Sequence, residues 1–153
     1  MNAPVRNLNA AQDGVIKLAI MAVGGQGGGV LANWVKDLAD KGGYAAQMRT
    51  GATIYYIEMA PRSDRTPVFA LAPAGGDVDI LIASELMEAG RAVMRGFVTP
   101  DRTTLIASTH RILAISEKEI PGDGRGDGES VLERVKAAAL RAECFDMEAL
   151  AAS

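Results

Sequence analysis

Cysteine is almost missing from this chain of 153 residues, which has one, Cys144. A single cysteine forms no intramolecular disulfide, so a reducing compartment is the simplest expectation. An iron–sulfur cluster takes about four thiolates and a zinc site about four ligands. The chain adds only one histidine, His110, to that inventory. We therefore expect no metal centre held by this chain alone.

Long apolar runs and clustered basic residues are also missing. No run approaches the roughly 20 apolar residues of a membrane-spanning helix. Residues 1–13 are polar, unlike a secretory signal peptide, so the cytoplasm is the expected location. The 16 lysines and arginines are scattered through a chain of net charge −3. Because phosphate contacts need a clustered basic surface, this pattern argues against a nucleic-acid binder.

What the chain does have is an alternation of short apolar runs with segments of helical spacing. The pattern predicts strands at 15–23, 44–47, 53–59, 68–71, 78–83, 103–108 and 144–147, and helices at about 30–42, 84–95 and 129–143, with another starting at 148. Ser84 is placed as the N-cap of the second helix. Several strands are apolar on both faces, which is typical of a parallel sheet covered on both sides. The expected fold is a Rossmann-like α/β three-layer sandwich with a mostly parallel sheet.

The domain organisation follows from the same pattern. Residues 1–14 are predicted to be a flexible leader, and residues 15–153 a single domain. Glycines and aspartates at 121–128 predict a flexible loop. The chain stops at Ser153 soon after a helix begins, which is typical of a domain shortened at its C-terminus.

The sharpest motif is a glycine turn, Gly24–Gly29, between the first strand and the first helix. Such a turn lets backbone amides approach an anion, and the helix N-terminus adds unpaired N–H donors. The stretch fits the loose dinucleotide pattern G-x-G-x-x-A at Gly27, Gly29 and Ala32. The alternative is that the glycines only allow close packing of strand on helix.

Two nucleotide-binding motifs are incomplete. A dinucleotide site needs an acidic residue about 20 positions after the turn, but the first after that zone is Glu58, inside a strand. A Walker phosphate loop needs a Lys-Ser or Lys-Thr pair, which does not follow the glycines. A phosphate-bearing ligand, or an anionic ligand carried by a partner, is therefore favoured over ordinary NAD binding.

Three sequence blocks, in order, resemble one enzyme family. They are Val23–Gly28, Arg49–Tyr56, and Ser108–Arg111 together with Ile115–Lys118 and Gly122–Gly124. They resemble the indolepyruvate:ferredoxin oxidoreductase beta subunit, which is the gamma-type domain of the pyruvate/2-oxoacid:acceptor oxidoreductases. The resemblance extends over nearly the whole chain from residue 15.

The resemblance implies a small subunit of a thiamine-diphosphate-dependent oxidoreductase that is inactive alone. A larger subunit would carry thiamine diphosphate and iron–sulfur clusters, decarboxylate a 2-oxoacid oxidatively to an acyl-coenzyme A, and pass electrons to ferredoxin. The gamma-type domain would pack against it and help to build the coenzyme A side of the site. No catalytic residue is expected here, and the implied ligand-binding residues are Gly24, Gly25, Gln26, Gly27, Gly28, Arg49, Thr50, Gly51, Thr109 and His110.

One departure from the family keeps other functions open. Members usually carry an additional loop ahead of the Arg49 block, but here Gln47-Met48 runs straight into it. One alternative is a free-standing Rossmann-like protein that binds a nucleotide. The other is a regulatory module that keeps the fold without its ligand loop. The subunit hypothesis predicts an exposed apolar surface for a partner, which also favours self-association of the isolated chain.

Individual side chains carry further expectations. Trp34 is predicted to lie in the core, and Cys144 to be a buried structural thiol. Tyr55 and Tyr56 should point to opposite faces of their strand, one into the core and the other against a helix or a partner. Glu58 in a central strand would need a partner. Structural or interface use of His110 is favoured over catalysis.

Overall fold

A computed structural model describes residues 14–112 and 127–153. The strands are β1 (Ile16–Met21), β2 (Tyr44–Thr50), β3 (Ile54–Pro61), β4 (Ile80–Ala83), β5 (Thr104–Ser108) and β6 (Arg141–Phe145). The helices are α1 (Gly28–Lys41), α2 (Leu86–Met94), α3 (Gly128–Ala138) and α4 (Met147–Ala151). The strands form one sheet in the order β2-β3-β1-β4-β5-β6, in which every strand except β3 runs the same way. The predicted α/β fold with a mostly parallel sheet is confirmed.

The sheet separates two apolar clusters, as alternating side chains on buried strands require. Leu18 and Ile20 of β1 face α1, which packs on β1, β2 and β3. Ala19 and Met21 face the opposite side, where α2 packs on β1, β4 and β5 and also against α3. We call these two sides the α1 face and the α2 face. No helix in the described ranges is long and apolar enough to cross a membrane.

The strand predicted at 44–47 is confirmed as the first part of β2, which ends later than predicted in a tight hairpin. β2 continues through Arg49 and Thr50, and after the turn at 51–53 the chain returns as antiparallel β3. The Gly51 N–H closes the turn on the Ile54 carbonyl at 2.7 Å. The block that begins at Arg49 is therefore the end of β2 itself, and the direct connection from Gln47 is a continuous strand.

Three other predictions of elements are wrong. Residues 68–71 form no strand, and Val68 and Leu71 are 97% and 78% exposed, so this apolar run gains no burial from pairing. The helix predicted at 129–143 ends at Ala138, and its last three predicted residues, 141–143, belong to strand β6. Ser84 does not cap α2, because the Glu85 carboxylate accepts the Met87 and Glu88 N–H groups at 3.0 and 2.8 Å.

Trp34 is not in the core: it is 67% exposed, contrary to the prediction. The buried residues of α1 are the small Gly28, Ala32 and Ala39. Small side chains let the helix lie close to the sheet, so its large side chains are displaced to a flank. Residues 1–13 of the predicted leader, the 121–128 loop up to residue 126, and two parts of the third family block (115–118 and 122–124) lie outside the described residues.

Candidate functional site

The candidate site lies where the chain changes direction across the sheet. From β1 the chain passes through α1 towards β2, and from the neighbouring β4 it passes through α2 towards β5. β1 and β4 are parallel, so both carboxyl ends open into the same crevice. Ligands of open α/β sheets bind in such a crevice. The glycine turn follows β1 into it, and Ser84 and Glu85 follow β4.

The glycine turn presents its backbone to open space. Gly25 and Gly27 have φ values of 89° and 73°, which favour glycine. A Cβ added at Gly24, Gly25 or Gly27 would meet no atom within 4 Å. At Gly28, by contrast, it would lie 2.6 Å from Ala22 Cβ and 2.7 Å from Tyr55 Cε2. The first part of the turn is therefore open, and Gly28 allows close packing of the strand on the helix.

Gln26 braces the turn. Its Oε1 accepts the Val23 N–H at 2.8 Å and lies 2.5 Å from Ser84 Oγ, which is also 3.2 Å from the Met21 carbonyl. These contacts tie the ends of β1 and β4 together through one amide side chain. Gln26 therefore positions the turn, and Ser84, which sequence reasoning assigned only as a cap, is part of the same brace.

The N-terminus of α1 differs from those of the other described helices. Glu85, Asp127 and Asp146 each cap their own helix with a carboxylate. Gly27 caps α1 without any side-chain hydrogen bond. The first N–H groups of a helix need acceptors and favour a nearby negative charge. With no capping side chain at α1, these N–H groups are available to an external anion.

The second predicted group lies to one side of the turn. β3 lies between β2 and β1. Thr50 and Gly51 at the end of β2 are therefore about two strand spacings, roughly 10 Å, from the end of β1 where the glycine turn begins. The Arg49 side chain lies on the α2 face. With the Gln47 amide turned so that its oxygen faces the guanidinium, that oxygen accepts the two terminal N–H groups of Arg49 at 2.9 and 3.0 Å. Arg49 Nε is buried without a hydrogen-bond partner.

The third predicted group lies on the other side of the turn. Thr109 follows β5 and donates its N–H to the Phe145 carbonyl at 2.9 Å. His110 donates its backbone N–H to Ser108 Oγ at 3.1 Å, and its Nε2 lies 2.5 Å from Glu148 Oε2 in α4. The three predicted groups thus share one edge of the sheet, spread over about four strand spacings or roughly 19 Å. The structure aligns them along one edge but does not bring them into mutual contact.

Tyr55, Tyr56 and Glu58 behave as predicted. Tyr56 is buried on the α2 face, and Tyr55 packs beneath Gly28 of α1 on the opposite face. Glu58 is 3% exposed and accepts the Tyr56 hydroxyl at 2.7 Å and the Ala70 N–H at 2.6 Å. Burial, and then this bond to Glu58, raise the pKa of Tyr56. Both residues therefore have structural roles away from the turn.

Cys144 has no feature of a reactive thiol. It is partly buried against the α2-face cluster, and burial raises its pKa. A higher pKa leaves less thiolate, the reactive form. No three His, Cys, Asp or Glu side chains of the described ranges gather as metal ligands would.

Glu88 is a buried carboxyl close to this edge. It is 1% exposed in α2, with Oε1 2.6 Å from Arg91 Nη1 and Oε2 without a hydrogen-bond partner. Burial raises the pKa of Glu88 above its ordinary value of 4.5, Arg91 lowers it and Glu85 raises it further. The folded chain therefore holds this proton more tightly than the unfolded chain does.

We expect Glu88→Gln to stabilise the chain at neutral pH. With its pKa raised in the folded state, the carboxyl favours folding below 4.5, and this contribution is lost as the pH rises through the folded pKa. At pH 7 the free energy of unfolding of the variant should be about 1 kcal/mol higher, because a buried carboxylate oxygen without a hydrogen-bond partner is removed. Urea denaturation at pH 7 and at pH 4 measures the difference in unfolding free energy between the variant and the unchanged chain. This difference should be smaller at pH 4 than at pH 7. Glu133→Gln, at an exposed position of α3, should change neither value by more than about 0.5 kcal/mol.

Comparison with solved structures finds a partial likeness to a known protein. The crystal structure of pyruvate oxidoreductase subunit PORC from Thermotoga maritima aligns with a TM-score of 0.47 and 10% sequence identity. The alignment covers 83% of this chain and 57% of that one, so the chain spans little more than half the length of PORC. The sequence matches no protein-family model and no curated protein.

Proposed function

We propose that this chain is the small, gamma-type subunit of a 2-oxoacid:ferredoxin oxidoreductase of the indolepyruvate type. The observation that carries the proposal is the open turn Gly24–Gly27 at the crevice between β1 and β4, directly before an uncapped helix. The three sequence blocks that resemble this family include that turn, the end of β2 and the end of β5.

The turn suits a phosphate group bound through the backbone. Positive φ at Gly25 and Gly27 and the free first turn of α1 direct N–H groups and partial positive charge towards the crevice. Arg49, the basic residue of the implied ligand-binding set, lies about two strand spacings from the turn, and its terminal N–H groups are held by Gln47. A complete site for a charged ligand would then draw its cationic groups from a second protein, as expected of a subunit.

The residues present fit coenzyme A better than the other cofactors of such an enzyme. The phosphates of coenzyme A match the backbone donors of the turn, and the sheet edge is long enough for an extended ligand. Iron–sulfur clusters do not fit, because the chain has one cysteine. In this proposal the larger partner holds thiamine diphosphate and the clusters, decarboxylates the 2-oxoacid to an acyl-coenzyme A, and delivers electrons to ferredoxin.

The sheet order disfavours ordinary dinucleotide binding. In a Rossmann site the strand beside β1 ends in the acidic residue that binds the ribose. Here the neighbour on that side is antiparallel β3, which begins at Ile54, and the end of β2 lies one strand further out with Arg49 and Thr50. No acidic side chain stands at either position.

Co-purification tests the proposal. The tagged chain, isolated from its native cells, should bring with it a large protein that binds thiamine diphosphate and has several cysteine clusters. Reduction of a dye should then require a 2-oxoacid, coenzyme A and both proteins. Recovery of the chain alone, even at low salt, would contradict the subunit function and favour the regulatory module.

Gly25→Ala should weaken coenzyme A binding in the assembled enzyme. The methyl group would strain a residue at φ 89° and intrude on the open turn, and we expect the KM for coenzyme A to rise about tenfold with little change in kcat. Gly43→Ala is the matched control, since Gly43 has φ 87° and open space but lies at the far end of α1. Both variants should lose a similar free energy of unfolding, about 1 kcal/mol. An equal rise in the KM for coenzyme A in the two variants would contradict the assignment of the turn.

A further inference from the structure

The side-chain amide of Gln26 has a fixed orientation. Its oxygen Oε1 lies 2.8 Å from the backbone nitrogen of Val23, whose N–H group can only donate. The Gln26 backbone N–H in turn donates to the Val23 carbonyl at 3.2 Å, so the two residues hold each other at both ends. The amide oxygen, and not the nitrogen, must therefore face the end of β1, and the Nε2 group points away from Val23.

The Ser84 hydroxyl donates to the same amide oxygen. Ser84 Oγ lies 2.5 Å from Gln26 Oε1 and 3.2 Å from the Met21 carbonyl oxygen, which already accepts the Ser84 backbone N–H at 3.0 Å. Two oxygens at the shorter separation need a proton between them, and an amide oxygen has no proton to give. The hydroxyl proton therefore lies on the Gln26 side, and two donors fill both lone pairs of Oε1.

Ser84 is free for this contact because another residue caps α2. Ser84 directly precedes Glu85, whose buried carboxylate accepts the first N–H groups of the helix. The hydroxyl is thus not drawn to the helix that follows it. Because β4 pairs with β1 in register up to its last residue, Ser84 stands beside Gln26, which is 58 positions away along the chain.

We propose that Ser84 is a positioning residue of the glycine turn: it holds Oε1 of Gln26 inward and so presents the two Nε2–H donors to a phosphate group in the crevice. With Oε1 filled, the accessible end of this partly exposed side chain donates and cannot accept. The open backbone of the turn and the uncapped start of α1 are donors too. Donors alone select a ligand rich in acceptor oxygens and disfavour one that must donate. The class of ligand rests on the proposed function.

Gln26→Glu separates the brace from the donor. One carboxylate oxygen can still accept the Val23 N–H and the Ser84 hydroxyl, while the other replaces the Nε2 donors by an acceptor with negative charge. The melting temperature should stay within about 2 °C of the unchanged chain. The affinity of the full chain for inorganic pyrophosphate should fall at least about tenfold. Asn33→Asp, which gives an exposed amide of α1 the same charge, should alter that affinity less than about twofold.

Nitrogen–proton NMR spectra of the isotope-labelled full chain report on the Nε2 group directly. The chain has three glutamines, and Gln26→Glu removes the pair of side-chain signals that belongs to Gln26. In the unchanged chain these signals should shift on addition of pyrophosphate. Ser84→Ala should move them towards the values of a free glutamine side chain and weaken pyrophosphate binding about threefold. Ser84→Thr keeps the hydroxyl and should restore both.

Three results would each overturn the proposal: Gln26 signals that do not respond to pyrophosphate, equal losses of affinity in Gln26→Glu and Asn33→Asp, or Gln26 signals unchanged by Ser84→Ala. Failure of the proposed function gives a different result. Gln26 signals that shift with pyrophosphate but not with coenzyme A would support the role of Ser84 and contradict the coenzyme A assignment. Co-purification of the larger protein, together with Gln26 signals that respond to neither ligand, would support the subunit function and overturn this inference.

Discussion

Gly28→Ala should cost about 3 kcal/mol of unfolding free energy, in the upper range for overpacking of a close contact. The new methyl group would stand 2.6 Å from Ala22 Cβ and 2.7 Å from Tyr55 Cε2. Ala22 does not yield easily, because it is 3% exposed and its N–H donates to the Thr53 carbonyl at 3.0 Å, so the partly exposed Tyr55 ring would have to move. The loss should lower the melting temperature by roughly 10 °C in a domain of this size.

Gly24→Ala is the matched control for that substitution. Gly24 belongs to the same turn, but its added Cβ would meet no atom within 4 Å and its φ is not in the left-handed region. Its melting temperature should stay within about 2 °C of the unchanged chain. Equal losses in the two variants would show that the turn as a whole, and not the close approach at Gly28, requires glycine. Ala22→Gly added to Gly28→Ala should restore part of the stability by removing one of the two clashes.

Strands with a strong local signal could be predicted from the sequence, and their directions could not. The apolar runs around β1, β4 and β5 are recognisable because parallel central strands are buried on both faces. The residues of β3 do not predict that it lies between β1 and β2 and runs antiparallel to both, because strand pairing depends on which strands meet in space. That insertion moves the Arg49 block away from the glycine turn.

Trp34 shows where helical periodicity misleads. Five apolar residues of α1 follow one another at helical spacing and predict a single buried stripe. The buried residues of the helix are instead the small Gly28, Ala32 and Ala39. Of the predicted stripe, only Leu31 and Val35 pack against the sheet. A helix with two apolar sides has two possible orientations, and close approach at Gly28 decides between them. The exposed remainder is Val30, Trp34 and Leu38.

The candidate site was predictable only where its signal is local. The glycine turn lies within six consecutive residues, whereas the brace joins Gln26 to Ser84, 58 positions along the chain, and His110 meets Glu148 in another helix. Contacts of this kind depend on the sheet order. Glu58 shows how far such reasoning reaches: a carboxylate in a central strand indicates that a partner exists, but the residues alone do not say that the Tyr56 hydroxyl and the Ala70 N–H supply it.

The strongest polar network lies at the opposite edge of the sheet, at the amino ends of β1 and β4. Asp79 is 7% exposed, and its carboxylate accepts the Lys17 backbone N–H at 2.9 Å and the Arg102 Nε–H at 2.9 Å. Asp77 pairs with the same two residues, at 2.5 Å from Lys17 Nζ and 2.7 Å from Arg102 Nη1. Burial lowers the pKa of Arg102, but the bond to Asp79 and its charge outweigh this and raise it.

Asp79→Ala should therefore destabilise the fold by about 3 kcal/mol, the lower end for breaking a buried ion pair. The loss leaves the Arg102 guanidinium with the partly exposed Asp77 as its remaining acidic partner here, and it removes the acceptor of the Lys17 N–H at the start of β1. Urea denaturation measures the change. Glu143→Ala removes an ion pair whose side chains are 58% and 53% exposed, and it should cost less than about 0.5 kcal/mol.

The double variant Asp79→Ala/Arg102→Ala decides whether the cost belongs to the pair. If most of the loss comes from leaving one charge without its partner, removing both should cost clearly less than the sum of the two single changes. Strict additivity would instead assign the loss to separate contacts with the backbone. This network and the glycine turn stand at opposite ends of β1. Under the function proposed above, any of these variants that stays folded should therefore leave the KM for coenzyme A in the assembled enzyme unchanged, which separates a role in stability from a role in the site.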